Sequence, residues 1–201
     1  MNLPEDSLAR LEVIVQTCPS FHHGTHILYD LRTKLGAEPK IYLEIGVYGG
    51  ATSALIASHP YPTEVHGIDI GTITPFGDVP YEKVLNQAID TFRTPQSSFQ
   101  LHLGDSKSPS LISAIKKTVK LVDMLFIDGD HSFWGCTEDF MIYSPLVQSG
   151  GYIIFDDYND YEFSPEVRKS VDALVYSGNS SIPTTYEVIG QIKNEFVLRK
   201  L

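Results

Sequence analysis

Two apolar runs that end in acids constrain this chain more than any other feature. Residues 122–158 read VDMLFIDGDHSFWGCTEDFMIYSPLVQSGGYIIFDDY. The first run, Asp123 to Asp128, is apolar after its first residue and leads into Asp128-Gly129-Asp130-His131. The second, Gly151 to Phe155, leads into Asp156-Asp157. A near-continuous apolar run suits a strand buried on both faces, as in a parallel sheet. Two such strands side by side set their acidic ends on one edge, the carboxyl edge where open α/β sheets bind ligands. The pattern therefore gathers several carboxylates and one imidazole into one cleft.

The rest of the chain alternates in the same way. Residues 4–16 read as a helix with Pro4 in its first turn and Leu8, Leu11 and Val15 on one face. Phe21-His22-His23-Gly24-Thr25 reads as a loop, with Thr25 placed to cap a helix from His26 to Leu35 that Gly36 closes. Strands follow at Ile41–Ile45, Glu64–Ile68 and Phe99–Leu103, with helices at Ala51–Ser58, Tyr81–Phe92 and Pro109–Lys117. The 122–158 stretch adds a helix at about Thr137 to Gln148 between its two strands. A helix at Pro165–Ser177 and a closing hairpin, Thr185–Ile189 with Glu195–Arg199, complete the chain. Strands alternating with helices imply βαβ units. The expected fold is a Rossmann-like three-layer α/β/α sandwich on a seven-stranded, mostly parallel sheet with an antiparallel last strand. Residues 1–37 read as a helical cover or lid and 38–201 as the α/β domain, together one compact unit.

At 201 residues the chain fits one domain with a sizeable core. Its net charge of −10 argues against nonspecific nucleic-acid binding and against docking on an anionic membrane by charge. No apolar run approaches the roughly 18 residues of a membrane helix. The N-terminal residues lack the basic and apolar regions of a signal peptide, and Cys18 and Cys136 offer neither a disulfide framework nor zinc spacing. A cytoplasmic location is the expectation.

The first strand runs into a glycine turn, Glu44-Ile45-Gly46-Val47-Tyr48-Gly49-Gly50, before a helix that carries Ser53. Glycine lets a ligand approach the backbone closely. A dinucleotide turn would read G-x-G-x-x-G, and here Tyr48 takes the second glycine's place. Glu44 repels a phosphate and suits an ammonium or sulfonium. Asp69 closes the second strand, about 20 residues on, where an acid can accept from two ribose hydroxyls. Alone, such an Asp also reads as a turn residue. The third strand ends in Gly104-Asp105-Ser106. These residues read either as adenine contacts or, through Ser106 or Ser108, as a helix cap.

The set Glu44-x-Gly46-x-x-Gly49-Gly50, Asp69, Gly104-Asp105-Ser106, Phe126-Ile127-Asp128-Gly129-Asp130-His131 and Phe155-Asp156-Asp157-Tyr158 resembles class I S-adenosylmethionine (SAM)-dependent methyltransferases. More narrowly it resembles the metal-dependent O-methyltransferases related to macrocin and mycinamicin sugar O-methyltransferases, and at greater distance catechol O-methyltransferase. The resemblance covers about residues 38 to 200. It implies a cofactor site from Glu44, Gly46, Val47, Tyr48, Gly49, Ser53, Asp69, Ile70, Gly104, Asp105, Ser106, Asp128 and His131. It implies Mg²⁺, or another divalent cation, at Asp128, Asp156 and Asp157. It leaves two bases, His131 and Asp130, unresolved. The implied partner is a small-molecule hydroxyl, from a sugar or a natural-product intermediate. Relatives of that group often self-associate, and the sequence specifies no oligomeric state.

The chemistry is coherent with that resemblance. Carboxylates gathered at one sheet edge repel one another unless a cation or protons intervene. Magnesium is the hard, oxygen-loving ion that fits. Trp134 reads as a ring that stacks on adenine, walls the acceptor pocket or simply packs. Tyr158, Asn159 and Tyr161 follow the acidic pair and read as acceptor contacts or loop surface. His22, His23 and His26 read as surface or cap residues. Two other functions stand beside methyl transfer: an NAD-type oxidoreductase, against which Tyr48 and Glu44 count, and a catalytically silent SAM-binding protein.

Overall fold

The computed structural model describes residues 3–19, 25–72, 75, 77, 79–177 and 185–201. Its centre is one seven-stranded sheet: β1 (Lys40–Ile45), β2 (Thr63–Asp69), β3 (Ser98–Leu103), β4 (Val122–Ile127), β5 (Val147–Phe155), β6 (Tyr186–Ile192) and β7 (Glu195–Lys200). The spatial order is β3-β2-β1-β4-β5-β7-β6. Strands β1 to β5 pair in parallel, and β7 runs antiparallel to both neighbours. The order reverses between β1 and β4. The chain builds outward through β2 and β3, then crosses back to the other side of β1. A crevice opens at such a reversal, outside the carboxyl ends of the strands.

Alternate residues of each buried strand serve opposite faces. Tyr42, Met124, Phe126, Ile154 and Val197 pack with α1 (Ser7–Ile14), α2 (Ile27–Lys34), α3 (Ala51–Ala57) and α4 (Tyr81–Asp90). Leu43, Leu125, Ile127, Ile153, Phe155 and Leu198 pack with α5 (Pro109–Thr118), α6 (Phe133–Tyr143) and α7 (Pro165–Tyr176). All six residues of β4 are buried, as its apolar run requires. The three-layer sandwich with one antiparallel strand is thus the observed architecture.

Several boundaries differ from the sequence expectation, each for a local reason. Helix α1 starts at Ser7, because the Asp6 side chain accepts from Ala9 N at 2.9 Å and caps it there, leaving Pro4 outside. Its buried face is Arg10, Leu11 and Ile14, while Leu8 is exposed. Arg10 donates to the carbonyls of Pro4 (2.8 Å) and Ser58 (2.9 Å), which ties α1 to the end of α3. Thr25 does not cap α2; its Oγ1 is buried with no hydrogen-bond partner. Helix α6 begins at Phe133 rather than near Thr137, because the Ser132 hydroxyl accepts from Gly135 N at 3.0 Å. It ends at Tyr143, short of Gln148, where Ser144–Leu146 tightens into a 3₁₀ turn. Pro145 lacks the N–H that an α-helix would need there. Gln148 then belongs to β5.

The N-terminal helices lie in the layer beside α3. The Pro19 carbonyl oxygen presses on the glycine turn, 2.0 Å from where a Cβ on Gly49 would stand. Gly49 is therefore needed to let this segment pass. His22 and His23 lie outside the described residues. Cys18 and Cys136 are both buried and unbridged. No helix among the described residues is long and apolar enough to cross a membrane.

Candidate active site

A cavity of about 550 Å³ opens at the strand-order reversal. Its wall comes from four successive strand ends: Glu44 to Tyr48 after β1, Ile68 to Ile70 after β2, Gly104 to Lys107 after β3, and Asp128 to His131 after β4. Pro19, Ala51 and Thr52 complete it. Most of the residues that the sequence reading gathered therefore share one space. Gly49 and Ser53 do not line it; Gly49 faces Pro19, and Ser53 serves Glu44 from behind.

The crevice floor depends on glycine. Gly46 has φ of 87°. A Cβ there would lie 1.9 Å from the Asp128 carbonyl oxygen, so β1 and β4 can diverge only around a bare backbone. Tyr48 also takes a left-handed φ, 48°. Asp69 holds this turn: its Oδ2 accepts from Val47 N (2.8 Å) and Tyr48 N (2.9 Å), and its Oδ1 from Gly71 N (2.6 Å). The turn reading and the ligand reading of Asp69 are thus compatible, since the same carboxylate fixes the loop and faces the cavity. Tyr81 Oη donates to the Tyr48 carbonyl at 2.8 Å and braces the turn from α4.

Glu44 is 1% exposed and accepts from the Ser53 hydroxyl. Burial pushes its carboxyl well above the usual range, further than the Ser53 bond brings it back. Around the cavity stand the acids Glu44, Asp69, Asp105, Asp128 and Asp130, against the ammonium of Lys107. Asp105 shapes its own turn by accepting from Lys107 N at 2.9 Å. The Ser106 hydroxyl donates to Asp139 Oδ1 at 2.6 Å, and neither it nor the Ser108 hydroxyl caps α5. Asp139 is fully buried, and burial raises its carboxyl. It sits in α6 with no motif around it, so the sequence reading missed it.

Beside the cavity lies an acidic cluster. Asp128, His131 and Asp157 each offer a ligand atom within 4.8 Å of the others. His131 Nε2 is 3.2 Å from Asp128 Oδ1, and Nδ1 is 3.4 Å from Asp157 Oδ2. Asp157 has φ of 56°, a left-handed kink at the end of β5. Its carboxylate also accepts from Ser164 Oγ (2.7 Å) and Asn194 Nδ2 (2.9 Å). The hydrogen bond to Asp128 raises the His131 pKa, against the effect of burial. Asp156, expected among the metal ligands with Asp128 and Asp157, stands outside this trio. It is 2% exposed, and neither carboxylate oxygen has a hydrogen-bond partner. Burial, then Asp128, Asp157 and Glu195, push its carboxyl well up. Such orphaned oxygens fit a hard cation, which carboxylate sets bind. Ser164 carried no sequence signal because it sits in a loop without a motif, and Asn194 and Glu195 carried none because they reach the site from a hairpin distant in the chain.

Asp130 differs from His131. Its Oδ1 accepts from Ser132 N at 3.0 Å, and its Oδ2 is 3.5 Å from Lys107 Nζ. Burial alone would raise its carboxyl, but the Ser132 bonds and Lys107 outweigh it and hold it low. Trp134 is 70% exposed and Phe163 80% exposed, both beside the acidic cluster in sequence. Tyr158 is buried, and its hydroxyl donates to Asp172 at 2.8 Å.

The fold and crevice define a Rossmann-like α/β protein with a ligand site at its carboxyl edge. The chain matches the methyltransferase domain family over residues 43–158, and it belongs to that family of enzymes. An uncharacterized protein of Acanthamoeba polyphaga mimivirus is 32% identical over 178 residues, 87% of this chain and 78% of that protein. Among solved structures, the MycE methyltransferase of the mycinamycin biosynthetic pathway, in complex with Mg and SAH, aligns with a TM-score of 0.69 at 17% identity. The match covers 99% of this chain and 55% of MycE, so the chain spans about half that protein's length. CalS11, a TDP-rhamnose 3'-O-methyltransferase of calicheamicin biosynthesis, aligns at 0.60 and 17% identity over 99% of this chain and 96% of its own. A Bacillus cereus O-methyltransferase in complex with SAH aligns at 0.64 and 18% identity over 98% and 92%.

Proposed function

We propose that this chain is a SAM-dependent O-methyltransferase that uses a divalent cation, Mg²⁺ by its chemistry, to methylate a hydroxyl of a small molecule. The observation that carries the reading is the charge of the cavity: the carboxylates of Asp69, Asp105, Asp128 and Asp130, with Glu44 as a buried acid that a cation would ionise, against one lysine among the described lining residues. That field welcomes a sulfonium and an ammonium and repels the pyrophosphate of NAD. CalS11 is a TDP-rhamnose 3'-O-methyltransferase and MycE is solved with mycinamycin VI, which supports a sugar or natural-product acceptor.

In this reading Asp69 accepts from the ribose hydroxyls, and Glu44 faces the cationic end of the cofactor. Gly46, Val47 and Tyr48 present backbone to it, and Ile70, Gly104, Asp105 and Ser106 border the adenine. SAM supplies a methyl group on a sulfonium, ready for in-line transfer to oxygen. Asp128, Asp156 and Asp157 would hold the cation, with His131 beside it. A bound divalent cation lowers the pKa of a hydroxyl. With a cation on Asp128 in place of the ring, a neutral His131 protonated at Nδ1 would take the hydroxyl proton at Nε2. Its neighbours Asp128, Asp157 and Ser164 fix the ring's orientation. Asp130 is the poorer base, because Ser132 and Lys107 already stabilise its charge. The exposed rings of Trp134 and Phe163 form a rim for the acceptor. Residues 1–37 cover one flank of the cavity, a role supported by Pro19 in its wall. A cytoplasmic setting matches the expected need for SAM.

Two measurements test this. SAM or SAH should raise the melting temperature, and NAD should not. Purified protein with methyl-labelled SAM and a panel of glycosylated acceptors should transfer label in Mg²⁺ and lose it in EDTA. Stabilisation by NAD alone would overturn the cofactor assignment; full turnover in EDTA would overturn the cation.

A further inference from the structure

Asp156 follows β5 directly, and Glu195 opens β7. The two strands run antiparallel with Phe155 opposite Phe196, so the next rung sets Asp156 opposite Glu195. Residues directly opposite share a face, with Cβ atoms about 4.5–5.5 Å apart. Glu195 is 0% exposed, and neither of its carboxylate oxygens has a hydrogen-bond partner. The same holds for both oxygens of Asp156. A buried charge without a close partner is costly, and two facing each other cost more. Burial opposes the charge on Glu195 more than the nearby Glu195 and Asn194 N–H groups and Lys193 ease it, and Lys193 forms no ion pair with it; its Nζ is hydrogen-bonded to His26. Asn194, between them, donates to Asp157 at 2.9 Å, so the β6–β7 turn is already part of the acidic cluster.

We propose that Glu195 is a positioning residue of the cation site: opposed to Asp156, it supplies negative charge that draws a divalent cation to the buried pair in place of protons. The proposal rests on the cation reading above and extends it to the antiparallel strand, which no motif marks. Glu195 acts through Asp156, the acid set opposite it by the β5–β7 register.

The test is Mn²⁺ binding by the full chain without SAM or acceptor, read from the free-ion electron paramagnetic resonance signal at pH 8. Glu195→Gln should weaken Mn²⁺ binding about tenfold, which is ~1.4 kcal/mol. Glu195→Asp should recover part of the loss. Glu187→Gln, on β6 and outside the site, should leave binding within about twofold, an effect under ~0.5 kcal/mol. The melting temperature of metal-free Glu195→Gln should equal or exceed that of the parent, since a buried unpaired acid is removed; this also establishes that the variant folds. Parent-like Mn²⁺ affinity in Glu195→Gln would mean the pair merely shares a proton, and would overturn the proposal while leaving the cation site standing. Absence of Mn²⁺ binding by the parent itself would remove both.

Discussion

At the scale of single residues, Glu44 shows how one carboxyl links cofactor to stability. Its pKa is raised by burial. A raised acid stabilises the fold fully below its unfolded value, and that contribution is lost as pH rises through its folded value. The ligand-free protein should therefore lose stability relative to Glu44→Gln as pH rises. Urea unfolding of both at pH 5 and pH 8 checks the sign; a gap that does not widen in favour of Glu44→Gln defeats it. In the proposed reading, where Glu44 faces the cationic end of the cofactor, the same substitution should weaken SAM by tenfold or more, at least ~1.4 kcal/mol, by removing the group a bound sulfonium or ammonium would ionise. Calorimetric titration with SAM reads that loss. Asp69 makes the opposite kind of case, because its three backbone bonds make it structural as well.

Among elements, the turn between β1 and α3 carries the constraint. Gly46 must be glycine on two counts, its left-handed φ and the Asp128 carbonyl 1.9 Å from any Cβ. Gly46→Ala should cost at least ~2 kcal/mol, because the clash is with backbone that cannot step aside. Chemical denaturation would measure it, and a cost below ~0.5 kcal/mol would mean that β1 and β4 separate more easily than their pairing implies. The boundaries of α1 and α6 teach a related point. Asp6 and Ser132 set these starts through single side-chain bonds. The sequence reading starts α6 near Thr137, one turn past the Ser132 cap.

On the scale of the whole molecule, strands from distant parts of the chain concentrate acids at one edge. Glu195 is pushed up to about 7 by burial, and Asp156 is raised in the same direction. Each contributes stability present below the ordinary carboxylate range and lost as pH rises; for Glu195 the loss runs through about 7. The metal-free protein should thus melt at lower temperature at pH 8 than at pH 5. In the proposed reading a divalent cation competes with those protons, so the stabilisation by Mg²⁺ should be larger at pH 8. Thermal melts with Mg²⁺ and with EDTA at both pH values check this. An equal shift at the two pH values would separate the cation from these acids.

The sequence by itself determined the alternation of strands and helices, the parallel core and the strand-end acids Glu44, Asp69, Asp105, Asp128 and Asp156-Asp157. Apolar runs and their polar ends are local patterns, and local patterns are written in the order of the chain. Tertiary structure alone decided which of those acids meet. It set Asp157 with His131 through a left-handed kink, left Asp156 facing Glu195 across an antiparallel rung, and turned Asp130 toward Lys107. Ser164, Asn194, Glu195 and Asp139 were illegible for the same reason. Asn194, Glu195 and Asp139 owe their place to strand pairing or helix packing between segments far apart in sequence, and Ser164 to the loop that folds back after Asp157.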